Sequence, residues 1–327
     1  MGRALGATPA QGHLERGADG DAEQRRISCE GRGAVEAAAA AVDSTAAADS
    51  APRDTTLLET TRSGWETGFG PLLLVASAQQ EASAIFPNFS DSTLTDTTTF
   101  DVSTLGGMRV DLLSRAGLAG HGRLQSVPPR ARDDGCVAWP EATVTITDSV
   151  APRSSWTVAF AAGRVAPLAL DSIESQSGAD SARLTAEVSR LASLVPDDTA
   201  ASFRGIPYFV REVRRFRIAP DAHVLIANVT RRINQEANPR EEQLLVVAER
   251  AGSRPGARYT LAYHERVSGP EEAIESTDVL AVVTLPSGGG PAIVLIRDYG
   301  DGSAYALVTR APGGGWRLSW NSAYAGC

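Results

Sequence analysis

The chain contains no lysine, so all 31 of its basic side chains are arginines. It also has only four histidines, three cysteines and two methionines in 327 residues. Alanine and glycine are abundant beside arginine, which is typical of high-GC codon usage, so the arginine content alone indicates no demand for guanidinium chemistry. Because 39 acidic residues bring the formal net charge to −8, the chain as a whole is not built to bind nucleic-acid phosphates.

Long apolar runs are also missing. "GPLLLVASA", at 70–78, falls far short of the about 20 residues that a membrane-spanning helix needs. The first 29 residues lack the apolar centre of a signal peptide. The sequence therefore predicts no transmembrane helix and shows no signal peptide.

Residues 1–66 have few large apolar side chains and no sustained hydrophobic period. Such a composition cannot bury enough surface to offset the entropy lost on ordering, so a disordered low-complexity leader or tether is predicted. Cys29 precedes an Ala-, Ser-, Asp- and Thr-rich stretch, and this pattern resembles the mature start of a bacterial lipoprotein that lacks its hydrophobic signal segment. The resemblance implies attachment to the cell envelope through the N-terminus.

From Trp65 onward the pattern changes to short β-like runs separated by Gly, Pro, Asn and Asp. Val144 and Ile146 alternate with threonines, as in a strand with one buried face. The runs in this part of the chain are 71–77, 83–87, 97–105, 108–114, 142–150, 155–163 and 164–172. They predict a β-rich domain at 67–200 that includes one helix.

The helix is predicted at 179–195, because four apolar residues recur on one helical face: Leu184, Val188, Leu191 and Val195. Asp180 or Ser181 is the expected N-cap, and Pro196 is expected to end the helix. The next segment, 203–220, fits either a helix or a strand, and the alternation near its end favours a strand.

Residues 201–327 contain two sets of three apolar runs in the same order, followed by a strand at 316–320. The sets are 224–229, 243–250 and 259–267, and then 279–285, 292–299 and 303–310. Their matched order predicts an internal repeat of a three-stranded antiparallel meander. This β-repeat region is either a separate domain or continuous with the preceding one.

The stretch 278–305, "DVLAVVTLPSGGGPAIVLIRDYGDGSAY", resembles FG-GAP and VCBS-type β-repeats. In those repeats a strand, an acidic loop and an apolar strand recur as the blades of a propeller, so the resemblance implies a propeller-like arrangement. The acidic calcium loop of that family is replaced here by "PSGGG" at 286–290, which argues against calcium binding.

Within this stretch, Asp301-Gly302 is a tight-turn dipeptide between two apolar strands. We expect a loop at 300–303 that places Tyr299 opposite Ala304. The hairpin accounts for the acidic residues without a catalytic or metal role.

The strongest metal candidate is 233–243, which carries four spaced oxygen ligands: Asn234, Glu236, Asn238 and Glu242. The segment lacks the glycine of a calcium loop, so a solvated hairpin loop is preferred. None of the histidines, at 13, 121, 223 and 264, has ligand spacing, and no nucleophile elbow, phosphate loop or dinucleotide motif is present.

A local basic cluster contains six arginines: Arg211, Arg214, Arg215, Arg217, Arg231 and Arg232. Nucleic acid is one interpretation of such a cluster. Glutamates lie among these arginines in the sequence, so ion pairs are preferred and no nucleic-acid partner is predicted.

Cys29 lies in the leader, whereas Cys136 and Cys327 can form a disulfide that pins the C-terminal strand to the middle of the chain. Such a bond requires an oxidising compartment. Reduced cysteines, expected in the cytosol, are the alternative.

The sequence therefore predicts a mostly β protein of antiparallel meanders, propeller-like or sandwich-like, with one clear helix near 180–195 and a disordered N-terminus. No catalytic, cofactor-binding or metal residue is assigned, and no cofactor is expected. The favoured function is a non-catalytic extracytoplasmic or envelope-associated binding or structural module. The alternatives are a hydrolase-like enzyme with a site dispersed over loops and a cytosolic regulatory module.

Overall fold

The structure, a computed structural model, describes residues 64–95, 103–127, 136–149, 155–197, 203–234, 238–252, 257–285 and 289–327. These residues form antiparallel sheets and two α-helices, which confirms the prediction of a mostly β protein. The predicted leader lies outside the described residues except for 64–66, where the Trp65 ring packs 4.9 Å from that of Trp320. No helix of the described part is long and apolar enough to cross a membrane.

The first six strands close into an antiparallel barrel in the order β1-β2-β5-β4-β3-β6. They are β1 (Leu73–Ala76), β2 (Glu81–Ile85), β3 (Arg109–Ser114), β4 (Gly117–Ser126), β5 (Glu141–Ser149) and β6 (Val158–Ala161). A short helix, α1 (Asp91–Thr95), follows β2. Closure leaves the sheet without a free edge.

Two features of the barrel differ from the sequence prediction. The strand predicted at 97–105 is wrong where the structure describes it, because Ser103–Leu105 form a 3₁₀ turn, and 97–102 lie outside the described residues. Strand β4 escaped prediction because of its glycines. A side chain at Gly122 would come within 2.8 Å of Val144 Cγ1, so close packing of neighbouring strands explains why a glycine interrupts the pattern there.

The remaining strands form two further sheets, which we call the inner sheet and the outer sheet. The inner sheet, in the order β16-β15-β14-β13-β7, contains β7 (Ala166–Leu168), β13 (Ser276–Thr284), β14 (Pro291–Asp298), β15 (Gly302–Arg310) and β16 (Trp316–Asn321), and β17 (Ala325–Gly326) pairs with β15. The outer sheet, in the order β12-β11-β10-β9-β8, contains β8 (Asp171–Ser172), β9 (Phe209–Ala219), β10 (Ala222–Ile233), β11 (Arg240–Ala251) and β12 (Thr260–Pro270). The second helix, α2 (Gly178–Ala192), lies between β8 and β9 in the chain.

Strands β9 to β12 pair consecutively in chain order in the outer sheet, and strands β13 to β16 do so in the inner sheet. This pairing confirms the predicted antiparallel meanders and the strand interpretation of 203–220. The equivalence of the two meanders as an internal repeat stays a prediction. Strands β7 and β8 precede residue 200 but pair with β13 and β9, so the hydrogen-bonded sheets run across the boundary predicted there.

The sheets and the barrel stack in layers. Val283, Val294 and Leu307, on one face of the inner sheet, belong to the same buried cluster as the barrel interior. The other face of the inner sheet meets the outer sheet in a second cluster, so the two sheets form a sandwich. The far face of the outer sheet packs against α2. Because both faces of each sheet are covered, the central strands are continuous apolar runs rather than alternating ones.

Helix α2 confirms the predicted helix, and its buried residues are Leu184, Val188, Leu191 and Ala192. The predicted N-cap is wrong, because Ser177 is the cap and its Oγ accepts a hydrogen bond from Asp180 N at 3.3 Å. Asp180 lies instead in the first turn, where its carboxylate interacts favourably with the helix N-terminus. The helix ends at Ala192, short of the predicted 195, and the N–H of the C-cap residue Ser193 donates to Ser189 O at 3.1 Å.

Candidate functional site

The end of the chain is fastened to the barrel. Cys136 and Cys327 form a disulfide with their Cα atoms 4.3 Å apart, which is the pairing that the sequence analysis gave as possible. Val137 N donates to Gly326 O at 2.9 Å, and Cys327 N donates to Asp301 O at 3.0 Å. Covalent and backbone bonds therefore fix the last residues at two places. Cys29 lies outside the described residues.

The hairpin at Asp301-Gly302 exists, but its predicted register is wrong. Asp298 pairs with Ser303, and Ala304 pairs with Arg297 rather than with Tyr299. The loop spans 299–302 and so begins one residue earlier than predicted, because Asp298 Oδ1 accepts a hydrogen bond from the backbone N–H of Gly300, whose φ is +83°. Tyr299 is the first residue of this loop, and its N–H donates to Gly302 O at 2.9 Å.

Tyr299 belongs to an inter-sheet cluster, which we define as Arg297, Glu265, Glu275, Tyr263 and Tyr299. Arg297 is only 7% exposed. Its Nη2 donates to Glu265 Oε1 at 2.8 Å, and its Nε lies 3.6 Å from Glu275 Oε1. The Tyr263 hydroxyl donates to Glu265. One arginine therefore faces two carboxylates between the sheets.

Burial dominates the electrostatics of this cluster. It raises the pKa of Glu275, which the Arg297 guanidinium opposes and the Glu265 carboxylate reinforces. Burial and the neighbouring Glu275 raise the pKa of Tyr299 to about 12. Burial also raises the pKa of Tyr263. A carboxyl group with a raised pKa beside a second carboxylate is an arrangement suited to proton transfer, although structural ion pairs shift pKa values in the same way.

A second ionic cluster lies on the far face of the outer sheet and is built around Arg231, which is 2% exposed. Its Nε donates to Glu242 Oε1 at 2.8 Å, and its Nη2 donates to Asp197 Oδ1 at 2.9 Å. The guanidinium lies 4.6 Å from the ring centroid of Tyr208, whose hydroxyl donates to Glu242 at 2.5 Å. We call this group the Arg231 cluster.

Glu242, a carboxylate of the metal candidate at 233–243, belongs to the Arg231 cluster. Its carboxylate forms an ion pair with Arg231, and Glu236 lies outside the described residues. Across the described ranges, no group of three His, Cys, Asp or Glu side chains is placed to hold a metal ion.

Most of the basic sequence cluster is engaged in ion pairs. Arg214 pairs with Glu212, Arg215 with Asp171, and Arg232 with Glu241. These contacts support the ion-pair interpretation for four of the six arginines when Arg231 is included.

The histidines lie on different elements. His121, on β4, is 2.8 Å from Asp111 through Nδ1, and His223 and His264 lie on β10 and β12 of the outer sheet. His13 lies outside the described residues.

No family model, curated protein or solved structure matches this chain.

The inter-sheet cluster could not be found from sequence spacing, because its members come from β12, the start of β13 and the end of β14. The available signal was Arg297, a charged residue that directly follows the apolar run 292–296. A buried charge needs a partner, but the sequence did not indicate which glutamates would supply it.

Proposed function

We propose that the protein is a non-catalytic module that works outside the cytoplasm or at the cell envelope, in binding or in structural support. The observation that carries this proposal is the disulfide between Cys136 and Cys327. Disulfides form and persist in oxidising compartments and are rare in the cytosol. A bond that joins the chain end to the barrel region is also a long-range structural link, since the two cysteines are 191 residues apart.

Tight packing around the C-terminal strands supports a structural role for this bond. Trp320 is fully buried, and its indole Nε1 donates to Pro87 O at 3.0 Å. Tyr324 N donates to Asp91 Oδ1 at 3.2 Å, so the residues before Cys327 also contact the segment around α1. The residues that precede Cys327 are thus packed into the folded core.

The test is a thiol titration of the full chain under denaturing, non-reducing conditions after production in an oxidising compartment. We expect one reactive thiol per chain of the three cysteines, and none in Cys29→Ser. The double variant Cys136→Ser/Cys327→Ser should lose about 2–5 kcal/mol of unfolding free energy. Three reactive thiols would contradict the proposal and favour the cytosolic regulatory alternative.

A second candidate, a hydrolase-like activity, is favoured by Glu275 and Glu265, because a carboxyl group whose pKa is raised by burial and that lies near a second carboxylate is a common acid–base arrangement. The test is turnover of a panel of chromogenic glycosides and esters by the wild type, Glu275→Gln and Glu265→Gln. The binding-module proposal predicts no turnover above background in any of the three proteins. Wild-type turnover that Glu275→Gln abolishes would establish the enzyme instead.

A further inference from the structure

One end of the far face of the outer sheet carries a row of basic side chains on adjacent strands. His223 on β10 pairs in register with Arg217 on β9 and with Arg250 on β11. All three lie on the same face as Leu225, which is two residues from His223 and packs beneath α2. We call Arg217, His223 and Arg250 the cationic row.

Like charges that lie close together on one face of a sheet repel, so Arg217 and Arg250 on either side of His223 are unfavourable neighbours unless negative charge compensates for them. No salt bridge to Arg217 or Arg250 is found in the described part of the chain. Glu249, the neighbour of Arg250, lies on the opposite face, where its Oε2 accepts from Arg310 Nη2 at 3.0 Å.

Few carboxylates surround the cationic row, and most of them already interact with other arginines. Asp171 lies 3.5 Å from Arg215, which is two residues from Arg217 on the same face. Glu187 of α2 accepts a hydrogen bond from Arg190 at 2.7 Å. Asp221, in the β9–β10 turn, is exposed to solvent. The charges of Arg217 and Arg250 are therefore not compensated. Burial lowers the pKa of His223, Arg250, Arg215 and Arg217 reinforce the lowering, and Asp171 opposes it, so the imidazole between the two arginines is neutral at pH 7.

Tyr259 lies at the β12 side of the row and is 4% exposed. Its ring centroid is 5.0 Å from the Arg250 guanidinium carbon, and its hydroxyl also interacts with the Arg215 side chain, which opposes the rise in the Tyr259 pKa that burial causes. The hydroxyl proton of Tyr259, Arg250 Nε and Arg215 Nε have no acceptor among the described residues. Buried donors in native proteins nearly always have a partner in the protein or in ordered water, so an oxygen acceptor, from water or from a bound oxyanion, is expected at these three donors.

Helix α2 holds Tyr259 in place. Tyr259 N donates to Glu187 Oε1 at 3.0 Å, and Tyr259 O accepts from Arg190 Nη2 at 2.7 Å. The hydroxyl is therefore presented beside the arginines by a backbone that is fixed before any ligand arrives. Such preorganisation lowers the entropy cost of binding.

We propose that the protein binds a tetrahedral oxyanion, a phosphate or sulfate group, at this end of the outer sheet. Arg250 supplies a planar guanidinium fork that matches two oxygens of such a group, Arg215 contributes its Nε while its Nη2 stays beside Asp171, and Tyr259 donates its hydroxyl proton to another oxygen. Arg217 adds positive potential without a required direct contact. The oxyanion is either a free ion or a group on a larger molecule. This assignment supplies the ligand class of the proposed binding module and rests on that proposal only for the biological role of binding.

The experiment is isothermal titration calorimetry of the full chain at pH 7 and low ionic strength with sodium phosphate, sodium sulfate and glucose 6-phosphate. Inorganic phosphate tests the free ion, and the sugar phosphate tests a carried group. The wild type should bind phosphate and sulfate, and Arg250→Gln should weaken the affinity about tenfold, the usual effect of losing a charge-assisted hydrogen bond. Tyr259→Phe should weaken it about fivefold through the loss of one neutral hydrogen bond.

The matched control is Arg317→Gln, because Arg317 is an exposed arginine on β16 and its replacement changes the net charge equally. It should alter phosphate affinity less than twofold. Arg250→Gln should keep a melting temperature close to that of the wild type in phosphate-free buffer, because relief of like-charge repulsion offsets the lost contact with the Tyr259 ring. An unchanged melting temperature shows that loss of binding is not caused by unfolding.

Absence of phosphate and sulfate binding by the wild type would overturn the assignment. Equal losses in Arg250→Gln and Arg317→Gln would also overturn it, because they would indicate non-specific attraction to charge. Neither result affects the thiol titration that tests the proposed exported module, so failures of the two proposals are distinguishable.

Discussion

The two ends of the far face of the outer sheet use the same residue type in opposite ways. At one end Arg231 is enclosed by Glu242, Asp197 and the Tyr208 ring, and its charge is satisfied within the chain. At the other end Arg217 and Arg250 flank His223, with no carboxylate in the row. Helix α2 covers the apolar surface between them. The comparison shows that the residue opposite an arginine on the neighbouring strand decides whether its charge is neutralised within the chain or left free for a ligand. The register of the sheet sets which residue that is.

The largest loss of unfolding free energy is expected when an ion pair of the Arg231 cluster is removed. Glu242→Gln leaves the Arg231 guanidinium buried with Asp197 as its remaining carboxylate. Removing one partner of a buried ion pair costs about 3–5 kcal/mol, and we expect a loss in this range. Urea denaturation followed by circular dichroism measures it. A loss below about 1 kcal/mol would mean that the pair is not structural.

The next effect concerns the apolar surface that separates the two ends. Leu191→Ala in α2 removes a fully buried side chain from the helix–sheet interface, so a loss of about 2–5 kcal/mol is expected. Leu194→Ala is the matched control because Leu194 is 55% exposed, and it should change stability by less than about 0.5 kcal/mol. Equal losses in the two variants would show that α2 does not pack as described.

A smaller effect appears at high pH. Burial and the hydrogen bond to Glu242 raise the pKa of Tyr208 to about 12 from 10.0, so the folded state holds the phenolic proton more tightly than the unfolded state does. The resulting stability is fully present below pH 10 and is lost as the pH rises towards 12. Tyr208→Phe should lack this component of the alkaline loss in denaturation series between these pH values. An unchanged alkaline slope would contradict the contact.

The smallest change in unfolding free energy is expected at the cationic row. Arg217→Gln removes one of the two arginines that flank His223, so in phosphate-free buffer of low ionic strength the unfolding free energy should rise by about 0.2–1 kcal/mol. The gain should shrink with added sodium chloride, which screens exposed charges. Arg317→Gln should show no such gain, and destabilisation by Arg217→Gln would mean that Arg217 has a favourable partner.

Much of the layered fold could be predicted from the sequence, because the apolar patterns that form most strands and the helix lie within short segments of the chain. The central runs of β11 and β14 are apolar on both faces, and α2 has a clear helical period. Strand β4 could not be predicted, because the need for glycine at 122 appears only when β5 lies beside it. The hairpin register followed from an Asp298 side-chain bond that no apolar pattern reveals.

The Arg231 cluster and the cationic row were even harder to predict, because both depend on the register of the strands. Arg217 appeared in the sequence as one of six clustered arginines, and Arg250 lies far from that cluster. The irregularity between Ala222 and His223 sets which β9 residue faces His223, and it places Arg217 there. Residues of similar chemistry therefore could not be sorted into paired and unpaired groups before the strands were aligned.

The most direct test of this contrast is a crystal of the protein grown without phosphate or sulfate and soaked in sodium selenate, with anomalous data collected at the selenium edge. Selenate has the tetrahedral shape and charge of sulfate, and its selenium gives a signal that water cannot. The account predicts a peak within hydrogen-bond reach of Arg250 and the Tyr259 hydroxyl, and none at Arg231. A peak absent from the cationic row, or Arg250 folded onto a carboxylate of its own chain, would contradict it.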